Sequence, residues 1–405
     1  MVLTVRVLLV PLLVALAVAP ESSQAHGNAK PAPEGGDGRA IEFPDIDGYR
    51  TLVADLHMHT VFSDGHVWPR TRVSEALRDG LDAIAITEHL EWQPHLPDIP
   101  HPDRNRAYDI AAEAAGSSDL IVIRGSEITR DAPAGHMNAV FLADANPLLR
   151  APEPTDPFDP RAYHSAAGAW PAQEAVQAAN DQKAFVFWNH PYWTRQKPDG
   201  IARINAFHRE NAQKGLLHGI EIANGQDYSE EAFAIALEHD LTVIGVSDVH
   251  DLVDWDYEPH KGGHRPVNLV FATERTADAM RAALFEGRTV VWFENLLLGR
   301  PEHVGPLLDA SLIAIGGGYV EETQVARVTL TNRSDARFIL KNGSAYSFMR
   351  SHDLIEVPAH ASIELYVKTG ERLERIALDF KVLNALVAPD QPARWRSEVT
   401  LVPAR

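Results

Sequence analysis

The chain has 405 residues with 37 basic and 56 acidic side chains, which gives a formal net charge of −19. An excess of acid repels a phosphate backbone, so the composition argues against electrostatic binding to DNA or RNA. Cysteine is absent, which excludes disulfides and thiolate metal sites. A chain of this length buries enough surface to fold without such cross-links.

The N-terminus has the pattern of a secretory signal peptide. Arg6 precedes an apolar run over residues 7–18, and Ser23-Gln24-Ala25 supplies the small residues of a cleavage site. The run is shorter than the about 20 residues that a membrane-spanning helix needs. We therefore expect residues 1–25 to be removed on export, leaving a periplasmic or secreted protein that is not stably inserted in a membrane. Residues 26–44, rich in Gly, Pro and Ala, are expected to form a flexible linker.

The next region alternates short apolar strands with amphipathic helical segments. Helices are expected at roughly 70–79, 103–115, 171–182, 201–214 and 230–239. Strands that are apolar almost throughout indicate a parallel sheet covered by helices. The predicted fold of residues 45–300 is therefore α/β, and at this length its closed form is a distorted (β/α) barrel.

Residues of the types that bind metal ions recur at the ends of these strands. His57 and His59 lie at positions i and i+2 of the first strand, so their side chains face the same side. The same placement recurs along the chain, with Asp64 after the first strand, then His89, Glu127, His136, His190, Asp248 and His250. Active sites of such barrels gather at the carboxyl ends of the strands, so we expect these residues to meet.

The number and type of these residues indicate more than one metal ion. Imidazole suits zinc, iron and manganese, whereas a carboxylate can bridge two ions. Seven or more ligands exceed the four that a tetrahedral zinc site needs, so we expect two or three divalent ions (manganese, zinc or iron). Ions about 3.5–4 Å apart can share a hydroxide and clamp the oxygens of a phosphoryl group. Taken singly, His136 and His190 fit a structural role as well as a ligand role.

Six motifs together resemble those of the PHP family, named for polymerase and histidinol phosphatase. They are D-L-H-x-H-T-x-x-S-D-G, I-T-E-H, G-S-E-I-T, G-H-x-N, N-H-P and S-D-V-H, and the resemblance covers residues 50 to about 293. It implies a metal-dependent phosphoesterase on a distorted (β/α)7 barrel. The export pattern, the stretch H-P-D-R-N-R at 101–106 and the C-terminal extension are similar to the Sb-PDE family of secreted PHP phosphodiesterases.

Carried over motif by motif, the resemblance implies three ion sites. The first ion would be held by His57, His59, Glu127 and Asp248, the second by Glu127, His136 and His190, and the third by Asp64, His89 and His250. In this arrangement Glu127 bridges the first two ions. Some family members have histidine where this chain has Asp64, so the third site departs from the common pattern there.

Three further acidic residues near these positions are interpreted as supports rather than ligands. Asp55 is expected to orient the ring of His57, because carboxylates commonly hold metal-bound histidines. Glu88 is expected to support a ligand or cap a helix. Glu221 fits either a support for a ligand or a charge at the floor of the barrel.

Arginine near the ligands is a candidate for binding phosphate, because a guanidinium can bind two phosphate oxygens at once. Arg195 lies five residues after His190, and Arg265 lies in a glycine-containing loop after the last ligands. We predict that both contact the phosphate and form the catalytic set with Glu127 and Asp248. The alternative for a single loop arginine is a solvated charge.

Beyond residue 300 the pattern changes to short strands. Residues 325–331 alternate with period two, and similar strands follow up to residue 402. This spacing predicts a β-sandwich over residues 301–405. It carries no cluster of ligand types, so we expect it to pack against the barrel, with lining of the substrate entrance as the alternative.

The predicted function is that of an exported phosphodiesterase in which a metal-bridging hydroxide attacks the phosphorus of a small organic phosphate ester. Five tryptophans near the ligands favour a diester over a monoester, namely Trp68, Trp92, Trp188, Trp193 and Trp255. A phosphomonoesterase of the same family remains an alternative. A metal-dependent amidohydrolase also begins with His-x-His but usually has a carbamylated lysine where this chain has Glu127. A catalytically silent PHP module usually lacks several ligands, and this chain has all of them.

Overall fold

The computed structural model describes residues 40–150, 156 and 158–402. The predicted signal peptide and residues 26–39 of the predicted linker lie outside the described residues. The rest of that linker, residues 40–44, is packed rather than flexible. Ile41 is buried and its N–H donates to the carbonyl of Asp79 at 2.9 Å, while the N–H of Glu42 donates to the carboxylate of Asp335 at 2.6 Å.

Residues 50–299 alternate strands with helices. The strands are β1 (Arg50–Asp55), β2 (Ala83–Ile86), β3 (Ile121–Thr129), β4 (His136–Val140), β5 (Phe185–Trp188), β6 (Gly219–Asn224), β7 (Asp227–Tyr228), β8 (Thr242–Val246), β9 (Val267–Ala272), β10 (Thr289–Phe293) and β11 (Leu296–Gly299). The helices are α1 (Pro69–Arg78), α2 (Arg106–Ala115), α3 (Pro160–Gly168), α4 (Ala172–Asp181), α5 (Ala206–Gln213), α6 (Glu230–Glu238), α7 (Val253–Asp256) and α8 (Ala277–Phe285). Each helix expected from the sequence is present, although α2 begins three residues and α5 five residues after the predicted start.

Seven of these strands follow one another in the order β1-β2-β3-β4-β5-β6-β8. β1, β2 and β3 are parallel, and so are β5, β6 and β8. β4 is antiparallel to both of its neighbours, which differs from the uniformly parallel sheet that the sequence predicted. The reason is the short connection over residues 130–135, which allows a hairpin but not the long crossover that a parallel pair needs.

The two ends of this sheet meet where β1 and β8 end. The N–H of Asp248 donates to the carbonyl of His57 at 2.9 Å, and the N–H of His59 donates to the carbonyl of Val249 at 3.1 Å. Within β8, the N–H of Gly245 donates to Oδ1 of Asn268 in β9 at 3.0 Å, and Nδ2 of Asn268 donates to the carbonyl of Gly245 at 2.7 Å. The two ends of the seven-stranded sheet thus approach each other, with a side chain in place of part of the strand ladder, which is consistent with the predicted distorted barrel.

The barrel is filled by apolar side chains from alternate positions of its strands, which point to one face. They include Leu52, Ala54, Ala83, Ala85, Phe185, Phe187, Ile244 and Val246. Met280 and Leu284 of α8 belong to the same cluster. The interior is therefore a packed core, and the polar site lies at its carboxyl end.

The C-terminal region begins with α9 (Pro301–Ser311) and continues as a β-sandwich, as predicted. Its strands are β12 (Leu312–Tyr319), β13 (Val325–Asn332), β14 (Phe338–Asn342), β15 (Ser347–Phe348), β16 (Leu354–Val357), β17 (Ser362–Lys368), β18 (Arg375–Ala388) and β19 (Gln391–Thr400). One sheet has the order β12-β13-β17-β15, and the other contains β14, β16, β18 and β19. Val328 and Leu365 of the first sheet share a buried cluster with Phe338 and Phe380 of the second.

The sandwich is joined to the barrel by main-chain pairing. β11 pairs in parallel with β18, with Leu297 opposite Ala385 and Leu298 opposite Leu386. The C-terminal region therefore extends the barrel sheet and packs against it. Among the residues that the structure describes, no helix combines the length and apolar character needed to cross a bilayer.

Candidate metal centre

The nine predicted metal ligands come together at the carboxyl ends of the barrel strands. They come from the ends of β1, β2, β3, β5 and β8, from the start of β4 and from the loop after β1. A cavity of about 590 Å³ is lined by Asp64, His89, Glu127, His136, His190, Asp248 and His250. His57 and His59 are fully buried and contact these ligands from beneath. Residues far apart in the chain thus form one site.

The predicted first ion site is compact. Nε2 of His57 and Nε2 of His59 lie 3.0 Å apart, and both lie close to Oδ1 of Asp248, at 3.2 and 3.1 Å. Oε2 of Glu127 completes the group at 3.7 and 3.5 Å from the same nitrogens. Four ligands about 2.1 Å from a tetrahedral ion are about 3.4 Å from one another. His57, His59 and Glu127 can geometrically hold one ion, and Oδ1 of Asp248 lies at this spacing from both histidines.

The predicted second site lies on the other side of the same carboxylate. Oε1 of Glu127 is 2.9 Å from Nδ1 of His136 and 3.7 Å from Nε2 of His190. It also accepts a hydrogen bond from the side-chain amide of Asn189 at 2.8 Å. The two oxygens of Glu127 thus face two groups of ligands. The group on this side that can geometrically hold one ion is His89, Glu127 and His136, with His89 in place of the predicted His190.

The predicted third site is built around Asp64. Its Oδ1 lies 3.1 Å from Nε2 of His250, 3.4 Å from Nε2 of His89 and 3.7 Å from Nδ1 of His59. Nδ1 of His250 bonds the carbonyl of Asp248 at 2.8 Å, which turns Nε2 toward Asp64. Geometrically, these four side chains can hold one ion, so His59 joins the three residues predicted for this site.

The ring of His57 is held by Glu221, whose Oε1 is 2.7 Å from Nδ1. This corrects the prediction that Asp55 does so, because Asp55 accepts hydrogen bonds from Ser247 instead. Glu221 is fully buried and its other oxygen accepts from the N–H of His190 at 2.7 Å. A single carboxylate therefore positions ligands of the first and second sites, and the sequence signal for it was an acidic residue within an apolar strand.

Glu88 supports the site from below, in line with its predicted role. Its carboxylate accepts hydrogen bonds from the hydroxyls of Thr60 and Ser63, each at 2.5 Å. Oγ of Ser63 is in turn 3.1 Å from Nδ1 of His59. Glu88 therefore reaches a ligand through a hydroxyl rather than directly.

The protonation states of the cluster follow from its charges. Burial disfavours the charged form of His57, but the surrounding carboxylates, Asp248 foremost, raise its pKa well above the ordinary value. Burial and nearby imidazoles lower the pKa of His59 to about 3. Imidazoles also lower the pKa of Glu127 and of Asp64, against the effect of burial. The carboxylates are thus ionised at neutral pH, as metal ligands must be.

Three carboxylate oxygens of the cluster are buried and have imidazole nitrogens as their near polar neighbours. They are Oδ1 of Asp64, Oε2 of Glu127 and Oδ1 of Asp248. A buried carboxylate oxygen is costly unless a donor or a cation compensates it, and imidazoles in several such contacts are also the side chains that bind metal ions. Divalent ions would satisfy all three oxygens, so the donor set fits the predicted ions.

Two ligands sit in the left-handed region of backbone space, where non-glycine residues cost energy. The φ angle is 50° at Asp248 and 26° at His190. Such strain costs on the order of 1–3 kcal/mol per residue and is typical of functional sites. Here it directs both side chains into the cluster immediately after β5 and β8 end.

The two arginines that were predicted to bind phosphate lie in different environments. Arg195 is exposed, lines the cavity and lies over the ring of Trp193, with 5.3 Å from its guanidinium carbon to the ring centroid. Arg265 is only 1% exposed and pairs with Asp79 at 2.6 Å and Asp55 at 3.4 Å. The prediction that Arg265 contacts phosphate is therefore wrong, because two buried carboxylates hold it away from the cavity.

A third arginine at the cavity was missed from the sequence. Arg130 lines the cavity, is 5% exposed and forms an ion pair with Glu91. Its position directly after the G-S-E-I-T motif was the available signal.

Of the five tryptophans that favoured a diester, Trp92 and Trp193 line the cavity.

Known proteins share this two-domain architecture. The family model of the PHP domain matches residues 55–183, and that of an Ig-like domain matches residues 313–396. A crystal structure from Bacteroides vulgatus, of a two-domain protein containing a predicted PHP-like metal-dependent phosphoesterase, is 37% identical with a TM-score of 0.78. The match covers 89% of this chain and 98% of that one. The chain belongs to the PHP family.

More distant solved structures match about half of this PHP protein. A metal-dependent phosphoesterase from Bifidobacterium adolescentis is 21% identical with a TM-score of 0.34, covering 49% of this chain and 88% of that one. An amidohydrolase from Chromobacterium violaceum is 16% identical with a TM-score of 0.33, covering 49% and 87%. No curated protein matches the sequence.

Proposed function

We propose that this PHP protein is an exported, metal-dependent phosphodiesterase that acts on small organic phosphate diesters. The observation that carries the proposal is the convergence of three buried carboxylate oxygens, on Asp64, Glu127 and Asp248, with imidazole nitrogens at their sides. The named relative, which contains a predicted PHP-like metal-dependent phosphoesterase, supports the hydrolase class. The closer likeness to Sb-PDE phosphodiesterases is part of the proposal.

The nine ligands would hold two or three divalent ions, with Glu127 between the first two. When bound, such ions lower the pKa of water and neutralise phosphate oxygens. Arg195, which is exposed at the cavity, would then orient the ester, because guanidinium groups bind phosphate oxygens in pairs. In the reaction, water attacks the phosphorus and the bond between phosphorus and one ester oxygen breaks. The leaving alkoxide takes up a proton that the attacking water releases.

Export and the choice of partner belong to the same proposal. The sequence of residues 1–25 supports cleavage and release to the periplasm or the medium. The net charge of −19 supports a small-molecule ester rather than a nucleic acid as substrate. Sequencing the N-terminus of protein recovered outside the cytoplasm tests this part, and a start at His26 is the expected result.

Hydrolysis assays on metal-loaded protein test the central proposal. The substrates are bis(p-nitrophenyl) phosphate, p-nitrophenyl phosphate and p-nitroacetanilide, with Glu127→Gln as the matched control. We expect the diester to be hydrolysed fastest and the control to be inactive. Turnover of the monoester alone would assign a phosphomonoesterase, turnover of the anilide alone an amidohydrolase, and no turnover a silent module.

A further inference from the structure

His89 faces two groups of metal ligands, one through each ring nitrogen. Its Nε2 lies 3.4 Å from Oδ1 of Asp64, and both residues belong to a group that can hold one ion. Its Nδ1 lies 2.5 Å from Oε2 of Glu127, and these two residues form another such group with His136. A metal-binding imidazole is neutral, with hydrogen on one nitrogen and a free lone pair on the other. His89 can therefore serve only one of the two groups.

The hydroxyl of Thr129 lies beside Nδ1 of His89. The distance from Oγ1 to Nδ1 is 2.6 Å, and the same hydroxyl donates to the carbonyl of Glu127 at 3.3 Å. A threonine hydroxyl donates one hydrogen and accepts with two lone pairs, whereas an ionised carboxylate only accepts. Because Oγ1 uses its hydrogen on the carbonyl, Nδ1 has two acceptors beside it, Oγ1 and Oε2 of Glu127. Nδ1 is therefore the nitrogen that carries hydrogen, and the lone pair lies on Nε2.

The position of Thr129 is fixed by its surroundings at the end of β3. Thr129 is 5% exposed, and its N–H donates to Oε2 of Glu91 at 2.7 Å. Glu91 is fully buried and forms an ion pair with Arg130. Thr129 and Glu127 lie at positions i and i+2 of the strand, so both side chains face the ligand cluster. The hydroxyl is thus held in place before any ion binds.

We propose that Thr129 is a positioning residue that directs Nε2 of His89 toward an ion beside Asp64. The proposal rests on the metal centre of the proposed function and deepens it, because it assigns His89 to the third ion and not to the group of Glu127 and His136. Acceptors on the second ring nitrogen commonly fix the tautomer of a metal-bound histidine in this way. Oε2 of Glu127 is a weaker partner for Nδ1, because it is itself a ligand atom of the predicted first ion.

Thr129→Val tests this role, because valine has the shape of threonine but no hydroxyl. Thr129→Ser is the matched control, because serine keeps the hydroxyl. Full-length protein is titrated with Mn²⁺ against a competing chelator, and the bound ions are counted by elemental analysis after gel filtration. We expect Thr129→Val to weaken one of three ions about 10–100-fold and to leave the other two unchanged. Thr129→Ser should bind all three as wild-type protein does.

A second substitution distinguishes this role from a merely structural one. Asp64→Asn removes the ion that His89 is proposed to bind, so adding Thr129→Val to it should not weaken the remaining two ions. If valine only loosened the end of β3, or if His89 bound an ion together with Glu127 and His136, the added substitution would weaken them. That result overturns the assignment of Thr129.

Two further results would also overturn the assignment. One is a Thr129→Val protein that binds three ions as tightly as wild-type protein, and the other is wild-type protein that binds no third ion sensitive to Asp64→Asn. The titrations do not depend on turnover, so failure of the proposed function is recognised separately. Protein that shows the expected loss in Thr129→Val but does not hydrolyse the diester would contradict the proposed function and not the role of Thr129.

Discussion

Nδ1 of His57 lies 2.7 Å from Oε1 of Glu221, and this contact directs Nε2 of His57 toward the predicted first ion. Carboxylates in this position fix the orientation of a metal-bound histidine, and their loss typically lowers metal affinity 10–100-fold. Glu221→Gln keeps the size of the side chain but loses the charge. We expect the affinity of the tightest-bound Mn²⁺ to fall by about that factor in a competition titration. The exposed Glu238→Gln is the matched control, and equal affinities in the two variants would contradict the role of Glu221.

Glu127 and Asp64 should differ in how many ions they control. Glu127 faces two groups of ligands and Asp64 only one. Glu127→Gln should therefore lose at least two ions and reduce diester hydrolysis by about a thousandfold or more. Asp64→Asn should lose one ion and keep more activity. Elemental analysis after gel filtration, together with initial rates, measures both, and identical ion counts in the two variants would be inconsistent with the bridging geometry.

Removal of metal should destabilise the folded protein. Without ions, three buried carboxylate oxygens have only imidazoles to compensate them, and ions that bind only the folded state stabilise it by mass action. At a free metal concentration 100 times the dissociation constant this contribution is about 2.7 kcal/mol. Differential scanning calorimetry should show a fall in Tm of several degrees on chelation, restored by adding Mn²⁺. A Tm that does not respond to chelation would argue against ions at these oxygens.

His208 should make the chelated protein sensitive to mild acid. Burial lowers its pKa to about 3, and its ring stacks on Trp188 with centroids 3.7 Å apart. The unfolded chain binds this proton near pH 6.5 and the folded chain only near pH 3, so stability falls as the pH drops below 6.5. From pH 6.5 to 5 the loss is about 2 kcal/mol.

His208→Phe keeps a ring on Trp188 and cannot be protonated. Urea unfolding of chelated protein at pH 7 and pH 5 should show a difference in free energy smaller by about 2 kcal/mol in this variant than in wild type. If both proteins lose the same stability over that interval, His208 is not the responsible group.

The two arginines predicted from the sequence should respond in opposite ways to substitution. Arg265 is buried between Asp55 and Asp79, and removing one member of a buried ion pair costs about 3–5 kcal/mol. Arg265→Met should therefore lower the unfolding midpoint strongly. Arg195→Gln at the cavity rim should raise KM several-fold while leaving the melting temperature unchanged. Thermal melting and diester kinetics on both variants check this, and a KM effect without destabilisation in Arg265→Met would restore its original assignment.

Sequence reasoning anticipated the ligand cluster because parallel strands bring their carboxyl ends to one edge. Histidine pairs such as His57 and His59 identify that edge by their spacing. The same reasoning cannot place residues in loops, because closeness along the chain does not fix their position in space. Arg265 follows the last ligands closely in sequence but turns away, whereas Arg130 follows Glu127 and remains at the cavity.

Support for the ligands was harder to foresee than the ligands themselves. Asp55 and Glu221 both lie in barrel strands, and nothing in their sequence surroundings says which one reaches the ring of His57. The answer depends on strand stagger and register around the barrel, which are long-range properties. The antiparallel direction of β4 was not predicted either, although the short connection before β4 indicates a hairpin.

Anomalous diffraction from crystals of Mn²⁺-loaded protein tests the central claim most directly, because it locates the ions among the side chains. We expect peaks inside the cluster of nine ligands, with Glu127 between two of them and His57, His136 and His250 each beside one. Peaks elsewhere in the molecule with none at this ring, in crystals of protein that hydrolyses the diester, would contradict it.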